Sequence, residues 1–246
     1  MRLAALIPAR YAAQRLPGKP LADIAGTPMV VRVARLAAAA KGVDEVAVAT
    51  DDERIAHVVR AHGFRALMTS PACANGTVRI AEAARQLPAD GYLNVQGDEP
   101  LLDPRAIEAL AALVRAGHAM STLARPLAPG EDPTEPSLVK VVLAEDGSAL
   151  YFSRSLIPYP RAAGVVQPLV HLGLYGFSRD FLQTFANLPE TALERAESLE
   201  QLRALAHGHR IQVGLGFWSS IAVDTPADLE RVRRAVAAQE HTRRFQ

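Results

Sequence analysis

LAALIPARYAAQRLPGKPL, residues 3–21, opens the chain. Leu3–Ile7 is a short unbroken apolar run, the pattern of a buried strand. Arg10, Arg15 and Lys19 follow it, punctuated by Pro8, Pro17, Gly18 and Pro20. Proline lacks the N–H a helix needs, so this density of prolines and glycine reads as a restricted loop. Phosphates need several positive charges and free backbone N–H groups at close range. A strand that runs into such a basic loop is a natural polyphosphate cradle, with a plain solvated loop as the alternative. Gly18-Lys19 is not a P-loop: Ala13 stands five residues before Gly18, and Pro20 takes the Ser/Thr place.

Outward from that loop, β-type runs alternate with helical patterns. A helix is expected over Met29–Ala40, a strand over Glu45–Thr50, and a helix from the cap Asp51-Asp52 to about His62. Phe64–Met68 is a further strand. The loop Asn75-Gly76-Thr77 precedes a helix over Val78–Gln86. Tyr92–Gln96 is the next strand, followed by the turn Gly97-Asp98-Glu99-Pro100 and a helix over Pro104–Arg115. This βαβαβ order predicts an α/β fold, a parallel sheet with helices on both faces.

The order then changes. Met120–Arg125, Val139–Leu143 and Ala149–Phe152 read as strands without long helices between them, and Asp146-Gly147 predicts an antiparallel hairpin. Ile157–Pro168 reads as an exposed excursion and Leu169–Phe177 as a strand. Helices are expected over Arg179–Phe185, Leu193–His207 and Pro226–Gln239, with a short strand at Arg210–Gly214. The expectation is one α/β domain over residues 1–246, with a mixed-sheet insertion over roughly 120–190 of the kind that mediates dimerisation.

Bulk properties bound the function. In 246 residues, 49% are apolar, enough for a large core, and the net charge of +1 gives no reason to expect a nucleic-acid or membrane partner. The single cysteine, Cys73, excludes an intrachain disulfide and a metal-finger spacing. No apolar run approaches the roughly 18 residues of a membrane span, and no signal-peptide pattern opens the chain. A reducing cytoplasm is the expected location.

Three further motifs carry possible chemistry. NVQGDEP, residues 94–100, delivers Gln96 and Asp98 at the carboxyl end of a strand, the edge where open α/β sheets bind ligands. Asp98 there suits Mg²⁺, which takes one or two carboxylates plus phosphate oxygens and water. Capping of the next helix, by Asp98 or Asp103, is the competing role. In VDTPADL, residues 223–229, Asp224 or Thr225 before Pro226 is a good helix start, and Asp224 becomes a metal candidate only if it folds beside Asp98. His171 and Tyr175 share a strand face, and Glu200-Gln201 interrupt a Leu-rich helix. Isolated polar groups of that kind are more often structural than ligand-binding.

Together these pieces resemble the bacterial 3-deoxy-manno-octulosonate cytidylyltransferases, the CMP-Kdo synthetases. The resemblance rests on IPARYAAQRLPGKPL at 7–21, ATDDERI at 49–55, NVQGDEPL at 94–101, KVVLAEDGSALYFSRSLIP at 140–158, HLGLYGF at 171–177, LEQLRAL at 199–205 and VDTPADLERV at 223–232. It implies a nucleotidyltransferase-like three-layer sandwich of the nucleotide-diphospho-sugar transferase type, a homodimer, and Mg²⁺. The implied reaction joins CTP and Kdo to give CMP-Kdo and pyrophosphate for lipopolysaccharide assembly.

By the same resemblance, Arg10, Arg15 and Lys19 would hold the triphosphate, and Asp98 and Asp224 would bind magnesium. Arg10, Lys19, Asp98 and Asp224 form the implied catalytic set. Gly76, Thr77 and Arg79 would lie near the nucleotide. Gln96, His171, Tyr175, Glu200 and Gln201 would line the sugar-acid pocket. The chain departs from the family pattern at Ala13-Gln14, Ser70, Cys73, Asn75, Val78 and Ala222. Those departures motivate two rivals: a cytidylyltransferase for another ulosonic acid (amino-Kdo or sialic-type), or a catalytically weak nucleotide- or sugar-binding paralogue.

Overall fold

A computed structural model describes residues 1–12, 16–162 and 164–244, with the side chains of 240–244 left aside. The chain divides into two compact units: Met1–Glu108 with the stretch from Trp218 onward, and Ala109–Phe217.

In the first unit, β1 (Leu3–Ala9) is followed by a 3-10 turn, Lys19–Leu21, and a small hairpin of β2 (Asp23–Ile24) and β3 (Thr27–Pro28). Then come α1 (Met29–Ala39), β4 (Glu45–Thr50), α2 (Glu53–Ala61), β5 (Arg65–Met68), α3 (Gly76–Ala84) and β6 (Gly91–Asn94). The strands form a parallel sheet in the order β6-β1-β4-β5. Leu3 to Ile7 are all fully buried, so the unbroken apolar run is that of a central parallel strand covered on both faces. The carboxyl ends of β1, β4 and β6 deliver Arg10, Asp51 and Gln96 to one edge.

Helix α4 (Pro104–Arg115) leads out of this unit. The second unit contains β7 (Met120–Pro126), β8 (Lys140–Leu143), β9 (Ala149–Ser153), β10 (Leu169–Ser178), α5 (Arg179–Asn187), α6 (Ala192–Glu197), α7 (Gln201–Ala206) and β11 (Gln212–Leu215). Its sheet is mixed, as expected. Strand β10 pairs antiparallel with β7 and β8, β8 antiparallel with β9, and β11 parallel with β7. The excursion over residues 157–168 is exposed along most of its length, with Tyr159 84% and Val165 73% accessible.

Two sequence expectations need correction. The continuous helix over Leu193–His207 is two short helices. Ser198 closes α6 in the left-handed region (φ 50), and Glu197 is drawn away to accept from Ser153 Oγ at 2.6 Å and Arg154 N at 2.9 Å. The loop Asn75-Gly76-Thr77 is itself a helix start, because Asn75 caps α3 by accepting from Val78 N at 2.8 Å.

The chain returns to the first unit with α8 (Pro226–Arg244). Its Leu229, Val232 and Val236, spaced along one helical face, join Ile24, Met29 and Val223 in a separate apolar cluster, with Leu16 and Ala22 against it. Burial of this cluster brings residues 16–29 beside 221–236. Among the described residues no helix is long and apolar enough to cross a membrane.

Candidate active site

The first unit holds a cleft of about 250 Å³ at the carboxyl edge of its sheet, lined by Pro8, Arg10, Lys19, Gly76, Gln96 and Asp98 among others. Two glycines let it form. A Cβ on Gly97 would lie 2.8 Å from the Pro8 carbonyl oxygen, and one on Gly76 3.2 Å from Pro8 Cγ. The close approach Gly97 permits is therefore to the backbone of β1. It sets Gln96 and Asp98 beside the exit of Arg10.

At the cleft, Lys19 Nζ donates to Asp98 Oδ2 at 2.7 Å and to Asp224 Oδ1 at 3.3 Å. The Lys19 side chain is 16% accessible and that of Asp224 46%. Two carboxylates more than a hundred residues apart in sequence thus converge on one cation. The competing capping roles fall to other residues. Asp103 Oδ1 accepts from Arg105 N at 2.9 Å, at the start of α4. Thr225 and Asp228 exchange bonds at the start of α8: Asp228 N donates to Thr225 Oγ1 at 3.2 Å, and Thr225 N to Asp228 Oδ2 at 3.0 Å. Asp98 and Asp224 instead turn their carboxylates to Lys19. Buried Val223 anchors Asp224 and donates its N–H to the Asp98 carbonyl at 2.9 Å.

The site is oxygen-rich and solvent-accessible, and its two carboxylates pair with an ammonium. That donor set fits Mg²⁺, a hard cation bound through one or two carboxylates with water and phosphate completing the shell. Beside it, burial pushes the Glu99 carboxyl up to about 7; Asp98 adds to the rise, and the hydrogen bond from Ser220 opposes it.

Arg10 donates from Nη2 to the Cys73 carbonyl at 2.6 Å, tying β1 to the stretch before α3. Arg15 lies outside the described residues. Thr77 and Arg79, expected near the nucleotide, do not reach the cleft. Thr77 is fully buried and accepts from Asn94 Nδ2 at 3.1 Å. Arg79 is fully buried and donates to Thr69 Oγ1 at 2.6 Å and Asp51 Oδ2 at 2.9 Å. A guanidinium is stable there only because a carboxylate and a hydroxyl meet it, and its position inside α3 turns it toward β4 and β5. Gln96, expected with the sugar-acid set, lines the cleft of the first unit.

The second unit gathers His171, Tyr175 and Gln201. The His171 ring lies edge-on to Phe152, with centroids 4.9 Å apart, and 5.6 Å from Tyr175. Tyr175 Oη donates to Gln201 Oε1 at 2.9 Å. Burial pushes His171 down to about 3, so it is neutral at physiological pH, and pushes the Tyr175 phenol well up, with Glu200 adding to that rise. Thr122 Oγ1 donates its one proton to the Leu174 carbonyl at 2.6 Å and sits 2.8 Å from His171 Nε2. The ring therefore carries its proton on Nε2, and Nδ1 keeps a lone pair. Gln201 is 1% accessible, and its Nε2 has no partner among the described residues. Glu200 occupies the N-cap position of α7, with no side-chain cap bond.

Residue spacing gave no hint of the Glu197 clasp on Ser153 and Arg154, or of the buried pair that joins α6 to α7, Arg203 Nε to Glu194 Oε2 at 2.8 Å. These contacts set where Gln201 begins its helix. Their residue types are ordinary and their partners lie nine to 44 residues away.

A parallel α/β sheet with a basic loop and paired carboxylates at its carboxyl edge is the frame of a nucleotidyltransferase, and the sequence model of the cytidylyltransferase family matches residues 4–211. The chain is 53% identical to the 3-deoxy-manno-octulosonate cytidylyltransferase of Anaeromyxobacter sp. (strain Fw109-5), covering 96% of this chain and 98% of the relative. It is 50% identical to that of Myxococcus xanthus (strain DK1622), covering 97% and 98%. A solved CMP:2-keto-3-deoxy-manno-octonic acid synthetase complexed with CTP superposes with a TM-score of 0.92 at 46% identity, covering 98% of this chain and 100% of that one. The chain belongs to the 3-deoxy-manno-octulosonate cytidylyltransferase family.

Proposed function

We propose that this protein transfers CMP from CTP to 3-deoxy-D-manno-octulosonate, releasing pyrophosphate. The observation that carries the reading is the convergence of Asp98 and Asp224 on the Lys19 ammonium, in a chain about half identical to named enzymes of that reaction over nearly its whole length. The anomeric hydroxyl of the sugar acid attacks the α-phosphorus, and pyrophosphate leaves in line. Catalysis of such a transfer is mainly positioning and charge stabilisation. No covalent nucleophile is required.

Asp98 and Asp224 would hold Mg²⁺. When bound, Mg²⁺ supplies charge neutralisation at the α-phosphate and acidifies the attacking hydroxyl. Lys19 and Arg10 stabilise the negative charge that builds on the departing pyrophosphate. For the sugar acid, Tyr175, His171 and Gln201 offer a neutral, hydrogen-bonding wall. The open Gln201 Nε2 donor supports that assignment, because an unmet buried amide costs about 1–3 kcal/mol and a ligand acceptor would offset it. A homodimer joined through residues 120–190 and a cytoplasmic location belong to the same proposal. The exposed Tyr159, Val165 and Val166 support the former.

The test is pyrophosphate release with Mg²⁺, each of four nucleoside triphosphates and a panel of ulosonic acids. Release with CTP and Kdo alone is expected. Release only with another acid, or CTP binding without release, would replace this reading with one of its rivals.

A further inference from the structure

A second set of contacts grips the basic loop from the side of α2. Asp52 caps that helix, accepting from Arg54 N at 2.9 Å. The same carboxylate accepts from Arg54 Nε at 2.9 Å and Nη2 at 2.6 Å, which fixes the guanidinium along one edge. So held, the guanidinium carbon lies 3.4 Å from the centroid of the Tyr11 ring, within cation–π range.

Tyr11 grips Gly18 in turn. Its carbonyl accepts from Gly18 N at 3.0 Å, and the position a Gly18 Cβ would take is 3.4 Å from the phenol end of its ring. Gly18 stands at φ 71, a conformation that favours glycine. The next residue is Lys19, whose ammonium meets Asp98 and Asp224. A chain of contacts therefore runs from the capped start of α2 through Arg54, Tyr11 and Gly18 to the cation of the cleft.

We propose that Arg54 and Tyr11 are a positioning pair, which holds Gly18 and Lys19 in the place that receives the triphosphate. The proposal rests on the CTP reading above. Both residues act through Gly18 and Lys19. Tyr11 supplies the ring and carbonyl that hold Gly18, and Arg54 holds the ring.

A double-mutant cycle tests it, read as KM for CTP, KM for the sugar acid, kcat, and the dissociation constant of CTP with Mg²⁺. Tyr11→Ala is expected to raise KM and Kd for CTP by about 10-fold, and Arg54→Ala by about 3-fold. KM for the sugar acid should stay within about twofold, a split that general loosening of the protein would not give. Because Arg54 acts through the ring, the double variant should match Tyr11→Ala alone, and Tyr11→Phe should restore CTP affinity. Arg54→Ala alters an exposed side chain, so it carries the test if Tyr11→Ala fails to fold. Unchanged CTP affinity in Arg54→Ala overturns the proposal. So do additive effects in the double variant, which would mean Arg54 contacts the nucleotide itself. A wild-type protein that binds no CTP overturns the functional reading and this one with it. A wild type that turns over CTP beside an unaffected Arg54→Ala sinks the positioning pair alone.

Discussion

The cleft of the first unit and the aromatic cluster of the second are built by opposite means. In the first, charges stay near solvent and in contact: Lys19 between Asp98 and Asp224, with the last nearly half accessible. In the second, the groups are neutral and mostly buried: a His171 held neutral, a phenol held protonated, an amide with one unmet donor. Charge suits a polyphosphate, whose groups vary little from one nucleotide to another. A buried hydrogen-bonding wall suits a sugar acid, because a polar group that finds no partner there is penalised heavily. On the proposed function, affinity for the triphosphate and choice of acid would fall to different physics.

The largest effect that could break this contrast is at the carboxylate pair. Asp98→Ala and Asp224→Ala should each lower turnover at least ~100-fold if they hold magnesium. Substitution of Mg²⁺ by a metal-free buffer with chelator should abolish turnover in the wild type. Near-normal kcat in either variant would remove the metal from this cleft.

The first unit was largely legible in the sequence because its signals are local. The apolar run Leu3–Ile7 is a central strand, and Asp52 caps α2 as its position before the helical pattern suggested. What the sequence left open at Asp98 and Asp224 was a choice between capping and ligation. That choice depended on contacts across 126 residues: Asp103, Thr225 and Asp228 take the caps, and the apolar cluster around Val223 swings Asp224 onto Lys19. Arg79 fell the other way. One basic residue in a promising motif cannot tell a cleft from an interior, and burial against Asp51 settled it. In the second unit, the break between α6 and α7 was hidden because helical periodicity runs through Ser198 with no glycine or proline to mark the stop.

A smaller effect sharpens the contrast from the side of the acid. Tyr175→Phe removes the bond to Gln201 Oε1 and leaves that amide unmet at both ends. Gln201→Leu removes the open donor. Each should raise KM for Kdo about 10-fold, in line with ~1.4 kcal/mol per lost buried bond, and leave KM for CTP within about twofold. An equal rise for both substrates would mean that this cluster supports the protein generally and reads no acid.

The last effect, read on stability and not on turnover, separates the two regions by pH. His171 titrates near 3 when folded, against an ordinary 6.5, because burial penalises the imidazolium. The unfolded chain therefore takes up a proton on falling through pH 6.5 that the folded protein refuses until about pH 3. The unfolded state binds more protons throughout that window, so stability must fall as pH falls, by at most about 1.4 kcal/mol per pH unit from this one ring. The Thr122 bond keeps the neutral tautomer in place and adds nothing for a second proton. Urea denaturation of the wild type and of His171→Asn, compared between pH 7 and pH 4.5, should show the wild type losing stability more steeply. Equal slopes would mean that the ring charges freely in the folded state, and with that the contrast between a charged cleft and a neutral cluster would be lost.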